Sequence, residues 1–153
     1  MSARIDATKV APGALRAMYG LEKYLEESSI EQRLRELVKL RASQINGCAY
    51  CIDMHTKDAR ANGESEQRLY GLVAWREAPF YTERERAALA WTEALTLIAD
   101  NHVSDELYEQ TRGQFSEQEL VDLTLAVVTI NAWNRIAISF RQEVGTYQPA
   151  SRK

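Results

Sequence analysis

The chain is poor in the residues that punctuate β-structure. Seven glycines and three prolines among 153 residues are too few for an all-β protein, which needs a turn residue about every 8–12 positions. The same scarcity, beside 45% apolar residues, excludes collagen-like, low-complexity and disordered classes. A basic block is missing too: 19 Lys and Arg against 22 Asp and Glu leave a formal charge of −3. Duplex binding needs clustered Lys and Arg, so no nucleic acid partner is expected. No apolar run is expected to reach the roughly 20 residues that span a bilayer, so no membrane partner is expected either. The first ten residues lack the apolar core of a secretory signal, which makes the cytoplasm the default compartment. No Gly-rich phosphate loop and no Ser-His-Asp pattern occurs. The length, 1–153, reads as a single domain able to bury a core.

Only two cysteines are present, and they stand together as Cys48 and Cys51. A disulfide across so short a loop constrains the unfolded chain very little. In a reducing compartment it would not persist passively. The pair is therefore expected to serve chemistry rather than scaffolding.

Helical periodicity dominates after Pro12. Leu15, Met18, Tyr19, Leu21 and Leu25 recur at spacings of three and four, as do Leu34, Leu37, Val38, Leu40 and Ile45. Asn46-Gly47 and Asn62-Gly63 are expected helix stops, since both residue types tolerate the left-handed conformation. Between them a helix opens at about Cys48. Ser65 starts a short helix with Leu69, Leu72, Val73 and Trp75 on its apolar face. Thr82 with Glu85 and Ser116 with Glu119 match capping boxes, and Ser104 caps a helix between them. The last helix is expected to reach about Val144 and, apolar on nearly every side from Leu123 to Phe140, to run through the core. No segment alternates with period two. The fold class is all-α, with six or seven helices.

The informative stretch is Glu36 to His55. On a helix Cys48 and Cys51 share a face, and His55 stacks one turn above Cys51. The cysteines sit at a helix start, where free N–H groups and the helix dipole stabilise a thiolate. An imidazole can take the thiol proton, and Glu36 on the preceding helix can orient that imidazole. This is what thiol–disulfide or peroxide chemistry requires: one thiolate attacks and a second thiol resolves. Three other readings compete. The cysteines are two small buried hydrophobes; or Cys48, Cys51 and His55 hold zinc, although structural zinc wants a fourth ligand; or the motif is thioredoxin-like, which would need flanking βαβ structure and fails on helical flanks.

The string Glu36, Cys48, Cys51, His55 with helices on both sides resembles the alkylhydroperoxidase AhpD-like family, within the carboxymuconolactone decarboxylase superfamily. The segment Ile130-Asn-Ala-Trp-Asn-Arg135 resembles members described as peroxidase-related. The resemblance covers mainly residues 30–100. It implies that Cys51 is the peroxidatic cysteine, oxidised to a sulfenic acid. It implies that Cys48 is the resolving cysteine and the contact for the reductant, and that Glu36 and His55 form the proton relay. Tyr50 stands where the best-studied members have a histidine. Tyrosine can donate a hydrogen bond but is a poor base, with an ordinary pKa of about 10, so Tyr50 is at most auxiliary. Carboxymuconolactone decarboxylases proper generally lack the paired cysteines.

The expected activity is thus a thiol-dependent peroxidase or disulfide reductase acting on organic hydroperoxides or hydrogen peroxide. Electrons would come from a dithiol or protein thiol, with no cofactor and no metal. The alternatives are a non-catalytic redox-switch module and a lactone decarboxylase. The resemblance also implies a homo-oligomer, trimer or hexamer. Elsewhere, His102 is expected to be a surface helix cap, and Trp75, Trp91 and Trp133 to be core or interface residues. Arg135 should need a carboxylate partner if buried. The charged runs Arg33–Arg41 and Glu83–Arg86 are expected to be solvated helix faces.

Overall fold

A computed structural model describes residues 3–149, and those residues contain nine α-helices, one 3-10 turn and no strand. The helices are α1 (Ala7–Val10), α2 (Pro12–Glu26), α3 (Gln32–Asn46), α4 (Ala49–Ala61), α5 (Glu66–Gly71), α6 (Glu83–Thr96), α7 (Ile98–Asn101), α8 (Asp105–Arg112) and α9 (Glu117–Phe140); the turn Leu72–Ala74 continues α5. The count exceeds seven because α1 and α7 are single four-residue turns, too short to carry a periodic pattern. The local signals act as their chemistry dictates. Gly47 closes α3 at φ 67°, and both capping boxes form with reciprocal side-chain and backbone bonds. The last helix stops at Phe140 because Arg141 turns left-handed, at φ 55°.

The middle of the molecule belongs to α3, which packs against α4, α6 and α9. Leu34 and Val38 meet Ala88, Trp91, Leu123 and Val127 on one side. Leu37 and Leu40 meet Ala59, Leu72, Trp75 and Leu89 on another. Apart from the exposed Arg33, its charges are not a solvated face, which corrects the reading of Arg33–Arg41. Arg35 and Lys39 are buried. Arg35 donates to the Ile30 carbonyl at 2.6 Å, Lys39 to Glu22 at 2.5 Å, and Arg41 to Glu93 at 2.8 Å. The Glu83–Arg86 run is likewise engaged: Arg84 ties Glu31 to Glu119, and Arg86 gathers the carbonyls of Trp75, Ala78 and Tyr81.

By contrast, α9 is only partly a core helix. Leu123, Val127 and Ile130 are buried, yet Val121 and Val128 are 54% and 52% exposed. By length and composition alone it could cross a membrane, with mean hydropathy 1.3, contrary to the expectation that no run is long enough. Its buried Asn134 donates to Ser43 and accepts from Asn46. Val73 is exposed rather than on the buried face. Arg135 is exposed too and donates to Asn131, so it needs no carboxylate. Trp75 and Trp91 are buried.

Asp122 of α9 is 1% exposed and fastens the α2–α3 connection. It accepts from Tyr24 at 2.7 Å, from the Ser29 hydroxyl at 2.7 Å and from Gln118 at 3.0 Å. Burial alone would raise its pKa, but the hydrogen bonds from Tyr24 and Ser29 prevail and hold it below the ordinary value. A carboxyl so depressed adds stability above its unfolded pKa, and that stability is lost as pH falls through the folded pKa. Asp122→Ala should therefore cost about 2–3 kcal/mol at pH 7 by denaturant unfolding. The gap to the unsubstituted protein should narrow below about pH 4.

Candidate functional site

The left-handed Gly47 and the next residue, Cys48, join α3 to α4 and fold α4 back along α3. Cys48 is the N-cap of α4, and its sulfur accepts the Cys51 amide at 3.3 Å. The two sulfurs are bonded to each other, with Cα atoms 5.4 Å apart. Both residues are deeply buried, Cys48 at 1% and Cys51 at 2% exposure. They differ in what lies beside them. Cys51 borders a cleft of about 1010 Å³ and Cys48 does not; Cys48 packs with Ala42 and Ile130, and Tyr50, Trp133 and Ala137 lie against that cluster.

One turn beyond Cys51, the buried His55 also faces the cleft. Its Nδ1 lies 2.9 Å from Glu36 Oε2 on α3. An ionised carboxylate can only accept, so Nδ1 donates in this contact. The structure thus brings together all four expected residues, Glu36, Cys48, Cys51 and His55. Tyr50 is half-buried at the cleft wall. Burial first, then the nearby Tyr19 and Asp53, pushes its pKa up, which removes it further from service as a base.

Two residues that the sequence reading passed over complete the constellation. Asp58 lies three positions after His55 on α4, and its carboxylate, the imidazole and Glu36 bring ligand-type atoms within 4.8 Å of one another. Tyr147, 89 positions away, donates to Asp58 at 2.7 Å. Burial pushes the Asp58 carboxyl up, and the Tyr147 bond opposes it without cancelling it. The Tyr147 phenol is itself pushed far above its usual range by burial and by Asp58. Lys57 holds the same segment by donating to the Tyr147 and Gly145 carbonyls at 3.0 and 3.3 Å. The signal for Asp58 was its helical spacing from His55; Tyr147 gave none.

The rest of the cleft mixes aromatic and paired ionic groups. Tyr19 and Trp133 stand with ring centroids 5.2 Å apart, and Trp133 donates to Glu22, the partner of Lys39, at 2.9 Å. A metal, if held here, would find one imidazole and two carboxylates in Glu36, His55 and Asp58. Of the trio Cys48, Cys51 and His55, the two sulfurs are bonded to each other and the imidazole Nδ1 is bonded to Glu36. His102 caps α7 on the surface and does not border the cleft.

Comparison with known proteins places this geometry among relatives. Residues 12–94 match the carboxymuconolactone decarboxylase family. The uncharacterized protein YdfG of Bacillus subtilis is 50% identical over 139 residues, 91% of this chain and 95% of YdfG. A crystal structure from Agrobacterium tumefaciens, of a protein of unknown function named for AhpD and antioxidant defence, superposes with TM-score 0.92 at 46% identity, covering 95% of this chain and 100% of that one. The debrominase Bmp8 shares the fold, with TM-score 0.82 at 21% identity over 91% of this chain and 75% of its own.

Because the Tyr147 hydroxyl stabilises the charged form of Asp58, removing it should raise the Asp58 pKa further. Tyr147→Phe keeps the ring and deletes only the donor. Carboxyl-carbon NMR titration should find Asp58 titrating at a higher pH in the variant; an unmoved Asp58 would contradict the contact.

Proposed function

The chain belongs to the carboxymuconolactone decarboxylase family and has an AhpD-like fold, and we propose that it is a thiol-dependent peroxidase and disulfide reductase. The observation that carries the reading is a bonded cysteine pair of which one member, Cys51, borders a cleft beside a Glu36–His55 dyad. In the first step His55 accepts the Cys51 proton, and the thiolate attacks the terminal oxygen of a hydroperoxide. The O–O bond breaks, Cys51 becomes a sulfenic acid, and the departing alkoxide or hydroxide takes the proton back from His55. The Cys48 thiol then attacks the Cys51 sulfur, water leaves, and the disulfide forms. Two thiols are thereby oxidised and one hydroperoxide is reduced. A dithiol or protein thiol returns the two electrons, so the cycle draws on thiols alone, as a reducing compartment such as the cytoplasm supplies.

Asp58 and Tyr147 shape the same site from the C-terminal side. Their bond leaves Glu36 as the partner of the imidazole and keeps a second carboxylate from competing for it. Substrates would enter past Tyr19, Trp133 and Tyr50. A homo-oligomer fits the exposed Val121, Val128 and Ile138 on α9; interfaces of that kind usually bury upwards of about 2,000 Å². Sedimentation should then find a species heavier than the 17.4 kDa chain, and a lone monomer at micromolar concentration would remove the assembly.

Hydroperoxide consumption driven by a dithiol tests the activity. Cys51→Ser should abolish it. Cys48→Ser should leave a Cys51 that is oxidised and trapped by a sulfenic-acid reagent but does not turn over. Equal labelling of both single variants would remove the assigned roles. His55→Ala should slow Cys51 oxidation at least about 100-fold, the lower end of general acid–base assistance. Glu36→Gln should lose less, and Tyr50→Phe little. Disulfide formation without turnover would instead indicate a redox switch, and consumption of a lactone substrate would indicate a decarboxylase.

A further inference from the structure

A buried guanidinium without a counter-charge is unfavourable, because the ion loses its water and gains no ionic partner. Arg35 is such a group. It is 9% exposed, lines the cleft, and makes a single hydrogen bond among the described residues, from Nη1 to the Ile30 carbonyl. The other buried charges are better served. Lys39 pairs with Glu22, Glu64 with Arg33 and Arg68, and Asp122 accepts from Tyr24, Ser29 and Gln118. Among the described residues no fully buried side-chain nitrogen lacks a partner, so the Nε and Nη2 donors of Arg35 keep contact with the cleft it borders. Arg35 also stands in the first turn of α3, the positive end of a 15-residue helix. That end disfavours a cation and favours an anion.

The carboxylates of the cleft do not supply that anion. Glu22 is held by Lys39, Glu36 by His55 and Asp58 by Tyr147, while Asp6, Glu26 and Glu143 are exposed. Much of the remaining lining suits an apolar chain, with Leu15, Leu25, Met54, Trp133 and Ile136. At about 1010 Å³ the cleft matches the upper end of the roughly 300–1,000 Å³ of small-molecule sites. Helix geometry sets the length of an occupant. Arg35 stands twelve residues before Gly47 and Cys51 four after it. Because α4 folds back along α3, that difference of eight residues, at about 1.5 Å each, puts their levels roughly 12 Å apart.

We infer that the cleft takes hydroperoxides of long-chain carboxylic acids, with Arg35 holding the carboxylate while the hydroperoxide lies at Cys51. The inference rests on the peroxidase reading and names its substrate class. A guanidinium presents parallel N–H donors that match the two oxygens of a carboxylate, and an ester cannot replace that anion. The bound carboxylate is the counter-charge that the fold withholds from Arg35. A short anion can reach Arg35 or Cys51 but not both. Arg35 is thus a specificity-determining residue, remote from the O–O bond that breaks.

The hydroperoxide of linoleic acid and its methyl ester differ only at the carboxyl end. Stopped-flow measurement of Cys51 oxidation in the reduced protein, below micelle-forming concentrations, should find the acid at least about tenfold faster than the ester, as one charge-assisted hydrogen bond provides. Arg35→Met should slow the acid to the rate of the ester and leave the ester and cumene hydroperoxide unchanged. An acid no faster than the ester, or a preference that survives Arg35→Met, overturns the inference. Should Arg35→Met fail to fold, the acid-to-ester ratio of the unsubstituted protein still decides. Binding is read separately, by calorimetric titration of the oxidised protein with dodecanoate, which carries no peroxide. Dodecanoate should bind the unsubstituted protein at least about tenfold more tightly than Arg35→Met; equal affinities, or no binding, count against the site. Arg35-dependent binding in a protein that consumes no hydroperoxide would sink the peroxidase reading and leave the carboxylate site in place.

Discussion

A charged helix at the centre of a protein has to find a partner for each charge it buries, and the arrangement around α3 follows from that requirement. Desolvating an unpaired ion costs several kcal/mol, so Arg35, Glu36 and Lys39 dictate what must stand opposite them. Arg35 claims a backbone carbonyl, Lys39 claims Glu22 from α2, and Glu36 claims His55 from α4. Among the described residues no buried side-chain nitrogen or oxygen lacks a hydrogen-bond partner. The cleft is where these pairs meet rather than a hollow left by poor packing. Its polarity comes from the same pairs that fix the helices around it.

Local signals were legible in the sequence because they depend on near neighbours. Gly47 ends α3, Thr82 with Glu85 and Ser116 with Glu119 open helices, and His55 stands one turn from Cys51; each follows from spacings of four residues or fewer. What the sequence hid was tertiary. A run such as Arg33–Arg41 looks solvated because most such runs are, and nothing local reveals that Glu22 and Glu93 wait for Lys39 and Arg41. The most apolar helix, α9, was expected at the centre, but polar α3 takes that place because three apolar faces of it meet three neighbours. Asp58 was half-visible, at helical spacing from His55. Tyr147 was invisible, since its partner lies 89 positions earlier.

The relation to the debrominase fold cautions against reading chemistry from architecture. One helical framework hosts different reactions, so the argument for function has to come from side chains. Here those side chains are a bonded cysteine pair with Cys51 at the cleft and an imidazole oriented by Glu36 one turn away. Tyr50 refines the picture: with its pKa raised by burial, it presents a neutral hydroxyl able to donate a hydrogen bond into the cleft.

The rim of the cleft is drawn from both ends of the described chain, from residues 3–8 and from residues around Gln142 to Pro149. During translation the two cysteines therefore follow the N-terminal part of that rim and precede the C-terminal part. At about 5–20 residues per second, Tyr147 is added roughly 5–20 s after Cys51. Over that interval Cys51 lacks the C-terminal segment that later lines its cleft. The ribosome-bound chain thus passes through a stage at which the cleft beside Cys51 is open on its C-terminal side, and the last residues to be added close it.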